Sequence, residues 1–364
     1  MFDAKRTLLW TALTGALVAT VLPAYAQDQA DTAKAQALVD SFTGHPSPFP
    51  ITEPLLKKPV GKKIAIIDCG SPVCGIFADI AEFPAKELGM ITTRIKSGTT
   101  ADGVATAFDT VLEGGFDGVF VPALAPSLWD RYLEKFNANH IAVVASGIIG
   151  LDPAKVPVRL AAEPSMGLTA LLMADWAVAR DGAKLNAVFY KTPELSFTGL
   201  LATVFLDEVK ARCPACVVRV VEIPVAAFGN KGPSIVVDDL EAHPETTSAL
   251  FSIGEEAIGL APALKIADIK IPVLLDAPDP STLAEIQNGT YEVGVGSDLA
   301  LISWIAVDSL ARLTTGQAPS EGAAKDKLVL QLLHASDIKG DVSRGWSGYP
   351  DFPDRFKALW ANAQ

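Results

Sequence analysis

The regular alternation of two kinds of segment constrains the fold of this 364-residue chain more than any other feature. From Lys62 onward, short apolar runs rich in isoleucine and valine alternate with longer amphipathic stretches. Apolar strands separated by helices are typical of a parallel sheet that helices cover on both faces. The alternation restarts near residue 167, so the sequence predicts an α/β fold with two doubly wound parallel-sheet domains.

The boundaries of the apolar runs and of the amphipathic stretches give the predicted elements. Strands are expected at 63–68, 91–95, 118–122, 141–146, 156–161, 185–190, 217–223, 248–252, 271–276, 291–295 and 328–333. Helices are expected at 76–88, 103–113, 127–137, 167–180, 197–212, 234–241 and 299–313. The last residues, 336–364, contain five aromatic side chains, so we expect this tail to pack against the body.

The N-terminal residues have the pattern of an export signal. Lys5 and Arg6 precede an apolar run over 7–22, and Ala24-Tyr25-Ala26 has the small-x-small form of a cleavage site. We expect cleavage after Ala26 and a periplasmic location, with an uncleaved membrane anchor as the alternative. No later segment offers eighteen uncharged apolar residues, so no membrane insertion is expected after cleavage.

Charge and compartment narrow the possible partners. The formal net charge of −12 should repel phosphate backbones and anionic lipid surfaces, which argues against nucleic acid as a partner. An exported chain has no supply of ATP or NADPH. The protein is therefore expected to bind or hydrolyse a small molecule without a cofactor.

The four cysteines form two close pairs, Cys69 with Cys74 and Cys213 with Cys216. In an oxidising compartment such spacing predicts two local disulfides. A redox-active Cys-x-x-Cys needs its first cysteine at a helix N-terminus after a strand, whereas Cys213 follows a predicted helix. A zinc site built from the four thiols remains the other alternative.

Four strings, in this order, resemble the type I periplasmic substrate-binding proteins of ABC transporters, the ribose-binding-like family. They are KKIAIIDCGSPVCGIF, DGVFVPALAPS, HPETTSALFSIGEEAIGLAPAL and IPVLLDAPDPSTLAEIQNGTYEVGVGSD. The likeness spans about 61–333. It implies two lobes that close on a ligand, joined by three chain crossings near Glu163, Ser297 and Asp326, because ligands bind beyond the carboxyl ends of parallel strands.

The resemblance also implies a division of the chain. The expected parts are a signal peptide at 1–26, an extended arm at 27–60, an N-terminal lobe at 61–162 plus 298–325, a C-terminal lobe at 163–297 plus 326–335, and a tail at 336–364.

Residues at predicted strand ends are the candidates for ligand contact. In the first lobe they are Asp68, Ser71, Phe77, Pro122 and Ser146, and in the second lobe Glu194, Phe228, Glu255, Asp276 and, at the crossover, Asp298. Asp276 stands where the family places a ligand-binding aspartate. Asp68 and Asp276 can instead cap loops, and Phe77 can be a core residue. No metal-binding residues are predicted.

The chain departs from the family's sugar binders at two positions. Ser146-Gly147 stands where the resemblance expects Asp-Arg, and KTPELSFTGLL contains no arginine. The guanidinium groups of such arginines donate paired hydrogen bonds to sugar hydroxyls. The apolar residues expected to line the cleft are Pro122, Ala123, Leu124, Ile148, Ile149, Leu195 and Phe228. An aromatic, terpenoid or amine-bearing ligand fits such a cleft better than a simple aldose.

The resemblance predicts a periplasmic solute-binding protein that delivers a small molecule to the membrane permease of an ABC importer. The alternative is a sensory protein that presents its ligand to a receptor kinase or chemoreceptor. An exported hydrolase is the third hypothesis. The chain has no GxSxG or HExxH motif, and its four histidines lie far apart, so no enzyme activity is predicted.

Overall fold

Two parallel sheets with the same strand order organise residues 30–364, the part of the chain that the computed structural model describes. The predicted signal peptide and its cleavage site lie outside the described residues. The first sheet contains β1 Lys63–Asp68, β2 Ile91–Lys96, β3 Gly118–Pro122, β4 Ala142–Ser146 and β5 Val158–Leu160. The second contains β6 Asn186–Lys191, β7 Val217–Glu222, β8 Ser248–Phe251, β9 Val273–Asp276, β10 Val293–Ser297 and β11 Leu330–Leu333.

The strand orders are β2-β1-β3-β4-β5 and β7-β6-β8-β9-β10-β11. All neighbouring pairs are parallel except β10 and β11, which are antiparallel. Central strands such as β3 and β9 are buried along their whole length, as expected for strands covered on both faces. The predicted two-domain α/β fold with parallel sheets is confirmed.

Helices cover both sheets. They are α1 Thr32–Ser41, α2 Pro72–Glu87, α3 Ala101–Glu113, α4 Leu133–Ala138, α5 Glu163–Asp181, α6 Ser196–Arg212, α7 Gly232–Ala242, α8 Leu260–Ile266, α9 Pro280–Gln287, α10 Leu299–Thr314, α11 Glu321–Ala324 and α12 Phe352–Trp360. No helix of residues 30–364 is both long and apolar enough to span a bilayer.

The helix predicted at 127–137 was wrong over its first half. Two short 3-10 turns, Pro126–Leu128 and Asp130–Tyr132, precede α4. Between them Trp129 leaves the helical region with φ −144° and buries its ring in a stack on Phe108, 5.3 Å between centroids. Burial of this indole determines the break, because a continuous helix would orient it differently.

The chain passes between the sheets at three places. It leaves the first sheet after β5, returns after β10 with α10 packed on α2, β3 and β4, and crosses again before β11. We call β1–β5 with α2–α4 and α10 the first lobe, and β6–β11 with α5–α9 the second lobe. Asp326 joins two crossings, because its carboxylate accepts hydrogen bonds from the N–H of Ala162 and the hydroxyl of Ser165, at 3.0 and 2.6 Å.

The segments on either side of the lobes pack on both of them. Helix α1 lies against α5, and the N–H of Leu332 in β11 donates to the carbonyl of Phe42. Further along, the N–H of Leu55 donates to Leu359 of α12. Trp360 of α12 stacks on Trp304 of α10 with centroids 5.5 Å apart. The two ends of the described chain therefore meet on the first lobe.

Candidate ligand cleft between the lobes

A small cavity lies where the carboxyl ends of the two sheets face each other. Its walls are formed by Val73, Phe77, Ala123, Ser146, Gly147, Ala161, Met166, Phe197, Ile253, Asp276, Ala277, Ser297, Leu299, Ile302 and Leu328. Within this cavity, the volume that the centre of a water molecule can occupy is only ≈ 40 Å³. Since one water needs roughly 10–15 Å³ of such space, the cavity has room for only a few waters.

A roomier groove of ≈ 380 Å³ adjoins this cavity and shares Ser297 and Leu299 with it. Two further roomier grooves, of ≈ 540 and ≈ 580 Å³, lie elsewhere, one between the arm and residues 321–330 and one on the outer side of the second lobe. Neither is built from the carboxyl ends of strands in both lobes. In doubly wound folds the ligand binds at those ends, so we place the site in the small cavity.

Strained backbone is concentrated at this cavity. Ala123, Ala161 and Ala277 have φ of +56°, +49° and +44°, and each directly follows a strand. All three line the cavity. Such conformations cost residues with a Cβ of order 1–3 kcal/mol and cluster at ligand sites. The three strained turns therefore favour this cavity as the candidate ligand site.

The first-lobe wall is held by a disulfide. Cys69 follows β1, Cys74 lies in the first turn of α2, and their sulfurs are bonded. Pro72 occupies the first turn as well, so α2 begins four residues earlier than the predicted 76. This places Val73 and Phe77 on the helix and against the cavity.

The second disulfide joins Cys213 and Cys216 between α6 and β7. Both predicted disulfides are confirmed. The described residues contain no group of three His, Cys, Asp or Glu side chains placed to hold a metal ion.

Replacing Cys69 and Cys74 together by alanine should lower the free energy of unfolding by about 2 kcal/mol, since a disulfide over so short a loop restricts the unfolded chain modestly. It should also weaken ligand binding, because the first turn of α2 loses its anchor. Urea unfolding and ligand titration measure the two effects. The matched control replaces Cys213 and Cys216. A similar stability loss with unchanged affinity is expected there, and equal affinity losses in both variants would contradict the role of the first bridge.

Two carboxyl groups of the second lobe adjoin the cavity. Asp276 ends β9, lines the cavity and accepts a hydrogen bond of 3.3 Å from the Ser297 hydroxyl. Burial raises its pKa to about 7. Glu255 lies in the 3-10 turn Gly254–Ala257 and is 2% exposed. Burial, followed by the charge of Asp279, raises its pKa to about 8.

Glu255 has no well-formed hydrogen bond to either carboxyl oxygen within the described part of the chain. The backbone amide of Val73, across the cleft in the first turn of α2, lies close enough to lower its pKa slightly. The neighbouring Glu256 differs, because one of its oxygens accepts from Thr192 at 2.8 Å and from Ser252 at 2.7 Å. Burial raises the pKa of Glu256 to about 8 as well. Its role is therefore structural.

Stability should fall as the pH rises from about 4.5 to about 8. In this window Glu255 is protonated in the folded protein and ionised in the unfolded chain, so raising the pH favours unfolding. Each such group changes the free energy of unfolding by about 1.4 kcal/mol per pH unit inside its window. Thermal unfolding of Glu255→Gln across this range should show a shallower slope than the wild-type protein. Equal slopes would contradict the buried, uncharged state of Glu255.

Three of the ten predicted ligand residues line the cavity together: Phe77, Ser146 and Asp276. Phe77 also packs edge-on against Phe120, with centroids 5.6 Å apart. The hydroxyl of Ser146 is buried and has no hydrogen-bond partner among residues 30–364.

The other seven lie outside the lining. Asp68 accepts from the N–H of Gly70 at 3.0 Å and pairs with Arg94, so it has the loop-capping role given as its alternative. Ser71 is the N-cap of α2, and Asp298 is the N-cap of α10. The remaining four are Pro122 at the end of β3, Glu194 close to the N–H of Val225, Phe228 packed on the second-lobe core, and Glu255 behind the wall.

The apolar lining predicted for the cleft also differs from the lining of the cavity. Of its seven members only Ala123 lines the cavity. Leu124 and Ile148 are buried in the core at 1% exposure, because the left-handed turns at Ala123 and Gly147 direct the following side chains away. Residues that the sequence reasoning missed include Met166, Leu299 and Leu328. Each lies within three residues of a predicted crossing, and that proximity was the signal that could have found them.

Comparisons with known proteins rest on structure alone, because neither the family models nor the curated proteins gave a match. A 5-methylthioribose transporter solute-binding protein from Thermotoga lettingae superposes with a TM-score of 0.67 at 15% identity, covering 82% of this chain and 98% of its own. The substrate-binding protein of a sugar ABC transport system from Bordetella parapertussis gives 0.65 at 14%, with coverage of 82% and 98%.

The chain has the fold of the type I periplasmic sugar-binding proteins of ABC transporters. A third neighbour of this fold, XylFII in the XylFII-LytSN complex, has a TM-score of 0.61 at 17% identity, covering 77% of this chain and all of its own. These neighbours of the type I fold are solute-binding proteins, and the chain spans nearly their whole length. The cavity lies between the two lobes of that fold.

Proposed function

We propose that this protein is a periplasmic solute-binding protein of an ABC-type importer, which closes its two lobes on a small molecule and delivers it to a membrane permease. The observation that carries the proposal is the small cavity between the facing carboxyl ends of two parallel sheets. Strand ends from both lobes line it, Ser146 from the first and Asp276 from the second. The two disulfides and the type I fold are consistent with export and with cleavage after Ala26.

Closure would occur about the crossings near Glu163, Ser297 and Asp326, between lobes formed by 61–162 plus 298–325 and by 163–297 plus 326–335. Three side-chain and backbone donors of residues 162–165 converge on one carboxylate oxygen of Asp326. A buried carboxylate held in this way keeps two crossings at a fixed spacing. The lobes would therefore rotate about the crossings without separating there.

The cargo is proposed to be less polar than a simple aldose. The lining contains no lysine, arginine or histidine, and its hydrogen-bonding side chains are Ser146, Asp276 and Ser297. A sugar presents hydroxyls around its whole ring, and each one buried without a partner costs about 1–3 kcal/mol. An apolar body with one polar end matches this wall better.

The test combines ligand screening with a measurement of shape. Thermal unfolding is recorded with panels of sugars, aromatic compounds, terpenoids and amines, and small-angle scattering then compares the protein with and without each compound that binds. We expect one class to raise the unfolding temperature and to reduce the radius of gyration of the ligand-free protein. Hydrolysis of a compound in the panels, without any closure, would contradict the proposal in favour of an exported hydrolase.

A sensory role is the second candidate. One neighbour of the same fold was solved in complex with another protein, LytSN. By analogy this chain would present its ligand to a membrane receptor kinase or chemoreceptor. The genes beside its own distinguish the two roles, because permease and ATPase genes indicate transport, whereas a receptor gene without them indicates sensing.

A further inference from the structure

The cleft contains acceptors from both lobes and no cationic side chain to pair with them. Asp276 lines the cavity from the second lobe at 2% exposure, and Ser146 lines it from the first lobe at 1%. The Ser146 hydroxyl has no partner within residues 30–364. Buried polar groups without partners are rare in folded proteins, and in a ligand cleft they indicate the atoms that the ligand supplies.

Glu255 adds a second acid behind the same wall. Its carboxyl oxygens are buried and lack partners in the described chain, and they face the Val73 amide of the opposite lobe. Val73 itself lines the cavity. Two acids from neighbouring strand ends of the second lobe therefore lie at this part of the wall, where Asp276 lines the cavity and Glu255 is buried behind it.

The charges around these acids are also mostly negative. The turn that carries Glu255 packs against α7, α9, β8 and β9, and the nearest charged groups are Glu256 and Asp279. Outside the cavity, a groove that shares Ser297 and Leu299 with it is lined by Asp79, Asp279 and Arg344. Within the described residues, the lining of the cavity contains no cation, and the lining of the outer groove contains one, Arg344.

We propose that the cargo is an organic ammonium ion, a primary or secondary amine on an apolar body, whose N–H groups donate to Asp276 and Ser146 with Glu255 as the second negative charge. This inference rests on the proposed function and names the chemical class of its ligand. The apolar body would lie against Phe77, Phe197 and Ile302, which also line the cavity.

An ammonium ion accounts for the two acids better than a neutral molecule does. Burial raises the pKa values of Asp276 and Glu255 to about 7 and about 8, so each carries a proton over part of the range below pH 8. A cation in hydrogen-bond contact lowers the pKa of a carboxyl group, so the acids would release protons when the amine binds. A neutral ligand gives no such release. Affinity for the amine should therefore rise with pH up to about 8.

The experiment uses the mature protein, unfolded and refolded to strip any bound molecule. Matched probes are phenethylamine and 2-phenylethanol, isoamylamine and isoamyl alcohol, together with D-ribose and D-galactose. We expect at least one amine to bind about 100-fold more tightly than its alcohol, as a charge pair in a desolvated site should. Calorimetry in phosphate and in Tris should show proton release on amine binding.

Variants separate charge from packing. Asp276→Asn should lose about 100-fold in amine affinity and little in alcohol affinity, because only the ion pair is removed. It should still fold, since the change removes a buried ionisable group. Asp79→Asn is the control, an exposed acid of the outer groove with 73% of its side chain accessible. Its amine affinity should change by less than about threefold at moderate salt.

The possible results test the ammonium cargo and the solute-binding function separately. Binding of an alcohol or a sugar as tight as that of the amines, or amine binding without proton release, overturns the ammonium cargo and leaves the solute-binding function standing. Failure of every compound to bind, together with an empty protein before stripping, overturns both.

Discussion

Replacing Arg312 by alanine is expected to lower the free energy of unfolding by about 3–5 kcal/mol, because it leaves a buried carboxylate without its partner. Arg312 lies in α10, and its guanidinium donates to Asp308 at 2.7 Å. The side chains of Asp308 and Arg312 are 0% and 4% exposed. Burial raises the pKa of Asp308, and the guanidinium opposes that shift.

The same side chain holds the ends of the described chain. The guanidinium also donates to the carbonyls of Glu53 and Pro54 in the arm. Asp308 in turn accepts a hydrogen bond of 2.8 Å from the indole N–H of Trp360 in α12. Arg312→Ala therefore removes the guanidinium that donates to the two carbonyls of the arm. It also leaves Asp308, the acceptor of the Trp360 hydrogen bond, without its positively charged partner. Proteolysis of the variant should begin at the arm or at α12, in addition to the loss of stability.

Urea unfolding followed by circular dichroism measures the loss. The matched control is Arg355→Ala, because Arg355 pairs with Asp351 at the same helical spacing but with both side chains exposed, 42% and 57%. Exposed pairs contribute little, so no comparable loss is expected there. If the two variants were equally stable, the assignment of a structural role to the buried pair would be wrong.

Filling the cleft with a tryptophan at position 73 is expected to reduce ligand affinity by at least about 100-fold, since a large ring then occupies the space in which the cargo would pack. Val73 lies in the first turn of α2, is 5% exposed and lines the cavity. The added volume would also prevent full closure. Scattering should therefore report an open particle that does not contract on addition of ligand.

Overpacking costs about 1–3 kcal/mol when the structure cannot adjust, and opening of the lobes would relieve it here. The variant is thus expected to fold. Val60→Trp is the control, because Val60 is 72% exposed and lies outside the cavity lining. Full affinity in the control and loss in Val73→Trp identify the cleft. Unchanged affinity in Val73→Trp would place the ligand elsewhere.

The sheets could be predicted from the sequence because their signal is local. Strands β1 and β3 begin and end at the residues that their apolar runs indicated, and every other strand differs by one or two residues at an end. Buried parallel strands need continuous apolar runs, and those are visible without knowledge of the fold. The first turns of two helices differ from the prediction. α2 begins at Pro72, before its predicted start, whereas Pro126 begins only a short 3-10 turn where an α-helix was expected.

The cleft could be predicted only in part because it forms between distant segments. Ser146 and Asp276, which line the cavity, could be named from the sequence because both end strands, which is a local property. Met166 and Leu328 line the cavity through the approach of one lobe to the other, and their signal in the sequence is only that each lies within three residues of a predicted crossing. The positive φ angles of Ala123 and Ala277 could not be predicted either, because alanine carries no sequence signal for positive φ.

Mass spectrometry of small molecules released from the purified protein tests the central claim most directly. The wild-type protein is isolated without stripping and unfolded in acid, and the released compounds are quantified against protein concentration beside Val73→Trp. The account predicts a single compound, near one molecule per chain, that is present in the wild-type sample and depleted in the variant. The same compound at equal amounts in both samples would contradict the claim that the cleft between the lobes holds the ligand.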